Sequence, residues 1–206
     1  LNEIETTVYN KGERLLPGIT HGEGEQNRHL ASYTFFLEKI KDDLSGDNNV
    51  TILDLGCGVG WGCELLSVIP NSVITGIDNS IDTLNYAKDK YSKPNIEYKL
   101  DDIIEFIPIM PEYNYVVSRG VFEHIATGIE LINKVKFGNV FLFDVPYKEV
   151  MDVTKGIVNE HHLLTELTEK DFEHIPNIEF FYEDIDGVIT KEIDKKPNMI
   201  MCVCRR

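Results

Sequence analysis

Between residues 50 and 61 an apolar run, Val50-Thr51-Ile52-Leu53-Asp54-Leu55, passes directly into Gly56-Cys57-Gly58-Val59-Gly60 and then into a helical pattern near Trp61. A buried strand that turns through closely spaced glycines into a helix is the start of a crossover unit, and that junction is where open α/β sheets hold ligands. Glycine lets the chain turn tightly and lets a ligand approach the backbone with no Cβ in the way. The alternation continues: Ser72–Asp78 reads as a second strand, and Ser80–Tyr91 as a helix with Ser80 as N-cap. Asn95–Leu100 is a third strand, Ile103–Phe106 a short helix, Tyr113–Ser118 a fourth strand, Glu123–Val135 a helix and Val140–Val145 a fifth strand. Strand and helix in turn over this stretch predict a parallel sheet covered on both faces.

The flanks differ. The first 25 residues are polar and dotted with glycine, after which Leu30, Tyr33, Leu37, Ile40 and Leu44 mark an amphipathic helix stopped by Ser45-Gly46-Asp47-Asn48-Asn49. Beyond Val145, residues 147–164 read as an irregular connection holding His161 and His162, and Thr165 or Thr168 caps a short helix. Ile178–Tyr182 and Met199–Cys204 read as two strands, an antiparallel hairpin at the sheet edge. Neither a repeat nor a linker interrupts the chain. The expectation is one domain, residues 50–206, carrying residues 1–49 as a helical extension that lids it.

Composition removes several function classes. The 35 acidic and 20 basic side chains leave a formal charge of −15, with no basic run, so nucleic acid is disfavoured as a partner. No stretch approaches the apolar length of a membrane span. The first residues lack the basic and apolar regions of a signal peptide. They also lack an initiator Met, as expected of a piece of a longer protein. Four cysteines, Cys57, Cys63, Cys202 and Cys204, make no disulfide framework or metal-ligand pattern and point to a reducing, cytoplasmic compartment. Cys202 and Cys204 have strand spacing and share one face.

The glycine loop itself is selective. A dinucleotide fingerprint needs G-x-G-x-x-G, but the third position is Trp61 counting from Gly56 and Cys63 counting from Gly58. A phosphate-binding P-loop is absent as well. What remains, Asp54-Leu55-Gly56-Cys57-Gly58-Val59-Gly60, resembles motif I of class I S-adenosylmethionine-dependent methyltransferases. Asp78, followed by Asn79, ends the second strand where that family's acidic residue takes the ribose hydroxyls. Asp101-Asp102-Ile103 follows the third strand, where the family sets an Asp against adenine. Ser118-Arg119-Gly120-Val121-Phe122-Glu123-His124 matches its fourth strand and "vlEH" helix start. The resemblance implies a Rossmann-like, doubly wound, mostly parallel seven-stranded sheet. It implies S-adenosylmethionine as cofactor, S-adenosylhomocysteine as product, and contacts from Asp54, Gly56, Cys57, Gly58, Gly60, Asp78, Asn79, Asp102, Ile103 and Ser118.

The opening segment is similar to the "GER..P…H..RY.F" start of methyltransferases found with glycan-synthesis genes: Gly12-Glu13-Arg14-Leu15-Leu16-Pro17, then His29 and Tyr33-Thr34-Phe35. It implies that Arg14 and Tyr33 meet the cofactor; Ser32 stands where the pattern has Arg, and Arg14 is a substitute for that carboxylate contact. The implied reaction is O-methylation of a sugar hydroxyl, such as a terminal deoxyhexose on a glycan, in a protein fused to or associated with glycosyltransferase domains. The alternatives are a phenol or quinone-like acceptor, or a cofactor-binding scaffold without catalysis.

A hydroxyl nucleophile needs a base within hydrogen-bond reach. The candidates are His124, Glu123, His161, His162 and Asp144. His124 is favoured because a helix start lowers the pKa of an imidazole, with His162 facing the acceptor beside His161, Arg119 and Tyr147. Ubiquinone-pathway O-methyltransferases resemble this region and hold a divalent ion through Glu-x-x-Glu-His. The first of those positions is Gly120 here, so no metal is expected.

Overall fold

Residues 50–55 form strand β1 (Val50–Leu55), buried at every position but one, and its alternation divides the interior in two. Ile52 joins Phe36, Ile40 and Leu66 on one face of the sheet. Leu53 and Leu55 join Ile107, Phe122, Phe141 and Phe143 on the other. Strands β2 (Ser72–Asp78) and β4 (Tyr113–Arg119) pair in parallel on either side of β1. β3 (Ile96–Leu100) lies beyond β2 and β5 (Phe137–Pro146) beyond β4, again parallel. The chain thus leaves β1 to one side and returns on the other, which puts the glycine loop at the topological switch point.

The computed structural model describes residues 2–10, 14–19, 22–45, 49–150, 154, 159–193 and 197–206. Within them α3 (Trp61–Leu66), α4 (Ile81–Lys90), α5 (Ile103–Ile109) and α6 (Gly128–Ile132) accompany the parallel strands. Ser80 Oγ caps α4 by accepting from the Thr83 N–H, and the Asp102 side chain caps α5 by accepting from the Ile104 N–H.

The antiparallel pair forms as expected, but its second strand is not at the edge. β8 (Pro197–Arg205) lies between β5 and β6 (Ile178–Asp184), antiparallel to both. A two-residue strand, β7 (Ile189–Thr190), closes the edge, so the sheet has eight strands in the order β3-β2-β1-β4-β5-β8-β6-β7. Cys202 and Cys204 face the same core cluster, and all four cysteines are free and buried.

Three helical expectations change. The polar opening holds a helix, α1 (Glu3–Asn10), entered through a reciprocal cap: Asn2 Oδ1 accepts from the Glu5 N–H and the Glu5 carboxylate from the Asn2 N–H. The next helix, α2 (Glu23–Asp43), begins earlier than the periodicity from Leu30 implies. The helix expected over Glu123–Val135 is broken into a 3₁₀ turn, Phe122–His124, and α6. Gly128 packs so closely on the turn that a Cβ there would lie 2.2 Å from the Phe122 carbonyl oxygen. That approach replaces the continuous helix. Among the described residues no helix is long and apolar enough to cross a membrane.

Candidate active site

A cavity of about 490 Å³ lies at the ends of β1, β2, β3 and β4, a size suited to a small molecule. Gly56 and Gly58 both have left-handed backbones, with φ of 72° and 52°. At Gly56 a side chain would strike Val121 at 2.5 Å, whereas at Gly58 it would meet nothing within 4 Å. The backbone is therefore open to the cavity at Gly58. The Gly58 N–H donates to Asp78 Oδ2 at 3.1 Å, while Oδ1 accepts from the Ser80 N–H at 2.9 Å and from Arg14 at 3.2 Å. Gly56, Cys57, Asp78 and Asn79 line this part of the wall.

Asp102 and Ile103 line the cavity beside Asp101. The two carboxylates are used differently: Asp102 Oδ1 caps α5, and Asp101 Oδ1 accepts from the Asp102 N–H at 2.9 Å.

Three expected cofactor contacts do not line the cavity. Asp54 is fully buried and accepts from the Tyr33 hydroxyl at 3.2 Å and from Cys63 Sγ at 3.3 Å. Burial raises its pKa to about 7. Gly60 serves as the N-cap of α3 in a left-handed conformation, and Ser118 Oγ donates to the Leu55 carbonyl at 3.0 Å. Asp54 therefore reaches the cavity only through Tyr33, which does line it. The wall residues that sequence reasoning did not assign include His29 and Trp61, whose rings stack at 5.9 Å between centroids. The signal was the four-residue step from His29 to Tyr33, which sets both on one face of α2.

The far wall carries Arg119, His124 and His161. His124 is the last residue of a 3₁₀ turn, not the first of a helix, so the helix-start argument for a low pKa does not apply to it. Its Nδ1 lies 2.9 Å from the His161 carbonyl oxygen. A carbonyl only accepts, so Nδ1 carries the proton and Nε2 is the basic nitrogen. His162, expected to face the acceptor, does not line the cavity: its ring packs edge-on against His124 at 4.9 Å. Its Nδ1 meets the Glu149 carboxylate and its Nε2 the Asn159 amide nitrogen at 3.0 Å. The residue facing the cavity is His161. Glu123 also stays behind the wall, nearly fully buried, with Oε2 lacking a hydrogen-bond partner. Burial raises its pKa to about 8.

Tyr147, expected at the acceptor, is not part of the cavity wall. It is buried, and its hydroxyl donates to Glu169 at 2.9 Å, where Tyr182 also bonds. Asp144 is fully buried and receives the Gly120 N–H at 2.8 Å on Oδ1. Of the "GER" element only Arg14 can be placed, since Gly12 and Glu13 lie outside the described residues. Arg14 lies on Asp78.

Glu123, His124 and His162 each offer one ligand atom, all within 4.8 Å of one another. The position vacated by a carboxylate at Gly120 is thus answered by an imidazole from a distant loop, which spacing along the chain does not reveal.

A glycine loop at the switch point of a β3-β2-β1-β4-β5 sheet, with an acid ending β2 and an antiparallel strand beside β5, defines the Rossmann-like methyltransferase fold. Residues 52–136 match the family model described as "Methyltransferase domain". The chain is similar to the malonyl-[acyl-carrier protein] O-methyltransferase of Acetivibrio thermocellus, 31% identical over 49% of this chain and 37% of that one. It is similar also to the demethylmenaquinone methyltransferase of Chlorobaculum tepidum, 33% identical over 48% of this chain and 41% of that one. It thus spans less than half the length of these relatives. Among solved structures, the plantazolicin methyltransferase BpumL in complex with SAH superposes with a TM-score of 0.63 at 17% identity, covering 98% of this chain and 89% of that one.

S-adenosylmethionine is the cofactor that the motif resemblance implies, and the residues fit it. The open backbone at Gly58, the carboxylate of Asp78 and the acids beside Ile103 supply close approach, acceptors for a diol and acceptors for an amino group.

Proposed function

We propose that this chain is an S-adenosylmethionine-dependent O-methyltransferase in which Asp78 holds the ribose, Asp102 or Asp101 the adenine, and the Gly56–Gly58 backbone the amino-acid end. When bound, the cofactor supplies an electrophilic methyl group. The observation that carries the reading is the cavity itself: acids and open backbone line one end, and His124 with His161 lines the other.

Methyl transfer is an in-line displacement, so placing the nucleophile supplies most of the rate. His124 Nε2 is the basic nitrogen on the wall, and it takes the acceptor hydroxyl's proton. His162 is the more poorly placed base, because it does not line the cavity. Glu123, whose pKa burial raises to about 8, is mostly protonated at neutral pH and lies behind His124; His161 meets the acceptor. Tyr33 of α2 borders the cofactor on the cavity wall.

The acceptor class we favour is a sugar hydroxyl, on the resemblance of the Arg14–Phe35 stretch to glycan-pathway enzymes, with a glycosyltransferase as working partner. The acidic balance supports an acceptor other than nucleic acid, and four free thiols suit a reducing, cytoplasmic setting. A phenol or quinol is the second reading, favoured by the names of the quinone-pathway relatives and by the Glu123–His124–His162 set, which suits a divalent ion. Incubation with methyl-labelled cofactor and two acceptor panels, deoxyhexose-terminated glycans and small phenols, tests this. Label on the glycans supports the sugar reading. Label on phenols alone selects the second. Label on neither, with cofactor bound, leaves the scaffold reading.

A further inference from the structure

The cavity wall holds two arginines, and they lie at different ends. Arg14 is bonded to Asp78, the acid that ends β2. Arg119 ends β4, on the opposite side of β1 from β2. Its side chain is only 10% exposed, yet it lines the cavity with Tyr33, Gly56 and Gly120. Three elements brace it. Glu25 of α2 is 3.7 Å from Nη2, and the carboxylates of Asp144 on β5 and Glu183 on β6 act on its charge from within the core. Glu183 is tied to α2 by the Ser32 hydroxyl at 3.1 Å, and Asp144 to the Gly120 N–H.

This bracing does not satisfy the guanidinium. Arg119 Nε is buried without a hydrogen-bond partner. Glu25 divides its charge with Arg28, and burial raises the pKa of Glu183 to about 8, which makes it a weak counter-ion at neutral pH. A guanidinium fixed in direction, with its charge incompletely countered, on the wall of a cavity away from the ribose acid, is suited to reading a carboxylate.

We infer that Arg119 binds the α-carboxylate of the cofactor's amino-acid moiety, the contact that the resemblance implied for Arg14, while the Gly56–Gly58 backbone runs along the same moiety. The assignment rests on the cofactor reading above. A ligand whose ribose meets Asp78 and whose chain crosses the glycine loop brings its carboxylate to the end of β4, where Arg119 is the arginine.

Calorimetry with three ligands tests it: S-adenosylhomocysteine, its decarboxylated analogue, and 5′-methylthioadenosine, which lacks the amino-acid part. The wild-type protein should bind S-adenosylhomocysteine about 10- to 100-fold more tightly than the decarboxylated analogue, the worth of a charge-assisted hydrogen bond. In Arg119→Gln that preference should collapse while methylthioadenosine binds as in the wild type, and Arg119→Lys should restore part of it. A wild type that does not distinguish the first two ligands overturns the assignment, even if every variant misfolds. Equal losses for S-adenosylhomocysteine and methylthioadenosine in Arg119→Gln would mark a structural residue and overturn it too. An unchanged S-adenosylhomocysteine affinity with a raised KM for an acidic acceptor moves the anion to the acceptor. Binding of none of the three ligands overturns the cofactor reading along with this one.

Discussion

Arg14 occupies the carboxylate of Asp78: its Nη2 sits 3.2 Å from Oδ1, while the other donors to that carboxylate are the backbone N–H groups of Ser80 and Gly58. Backbone donors are fixed by the fold, so a ribose diol that claims Asp78 competes with Arg14. Arg14→Ala should therefore keep or raise the affinity for S-adenosylhomocysteine, by up to about 1 kcal/mol, since an exchanged hydrogen bond nets little. A clear fall in calorimetric affinity would return Arg14 to direct cofactor contact.

The division of labour between histidines gives a kinetic signature. His124→Ala should lose about 10²- to 10⁴-fold in kcat with cofactor affinity intact, the usual cost of removing a general base. His161→Ala should act on acceptor KM, because His161 lines the cavity and its carbonyl, which the substitution keeps, holds His124. His162→Ala should lower kcat less than His124→Ala does. A larger kcat loss at His162 would exchange the two roles, and near-normal rates in all three would exclude histidine as the base.

Much of this was legible in the sequence. The strand at Val50–Leu55, the glycines, Asp78 and the Ser80 cap are local features, and local features survive folding unchanged. What could not be read is what distant segments bring. Asp54 looked like a cofactor ligand from its place in the motif, but Tyr33 and Cys63 claim it. His161 and His162 are adjacent, and only the loop's path decides that the first faces the cavity. The break after His124 depends on Gly128 touching the Phe122 carbonyl, a contact that helical periodicity does not encode. The Asn2–Glu5 cap, by contrast, was a local signal and could have announced α1.

Metal dependence separates the two acceptor readings. With Gly120 in place of a carboxylate ligand, the base mechanism expects the transfer rate to persist after exhaustive chelation. A rate lost on chelation and restored by Mn²⁺ or Zn²⁺ would make Glu123, His124 and His162 a metal set, and His124 could not then be the free base.

Glu183 carries a pH dependence of stability. It is fully buried, and burial, with nearby Asp144 adding to it, raises its pKa from 4.5 to about 8. The folded state thus holds a proton that the unfolded state has released. This contribution is present in full below the unfolded pKa and is lost as pH rises toward about 8. Glu183→Gln should flatten the fall in Tm between pH 5 and pH 8, to first order, and should be the more stable protein at the upper end by several degrees. Parallel Tm profiles for the two proteins would contradict this.

The central claim is that Asp78 makes this cavity a nucleoside-cofactor site, and a calorimetric titration of S-adenosylhomocysteine into the wild-type protein and Asp78→Ala tests it most directly. The account predicts one site in the wild type and a loss of about 2–3 kcal/mol in the variant, the worth of a charge-assisted bidentate contact, read beside the variant's Tm because Asp78 also accepts from the Gly58 and Ser80 N–H groups. Equal affinity in the two proteins, or no binding to the wild type, would contradict it.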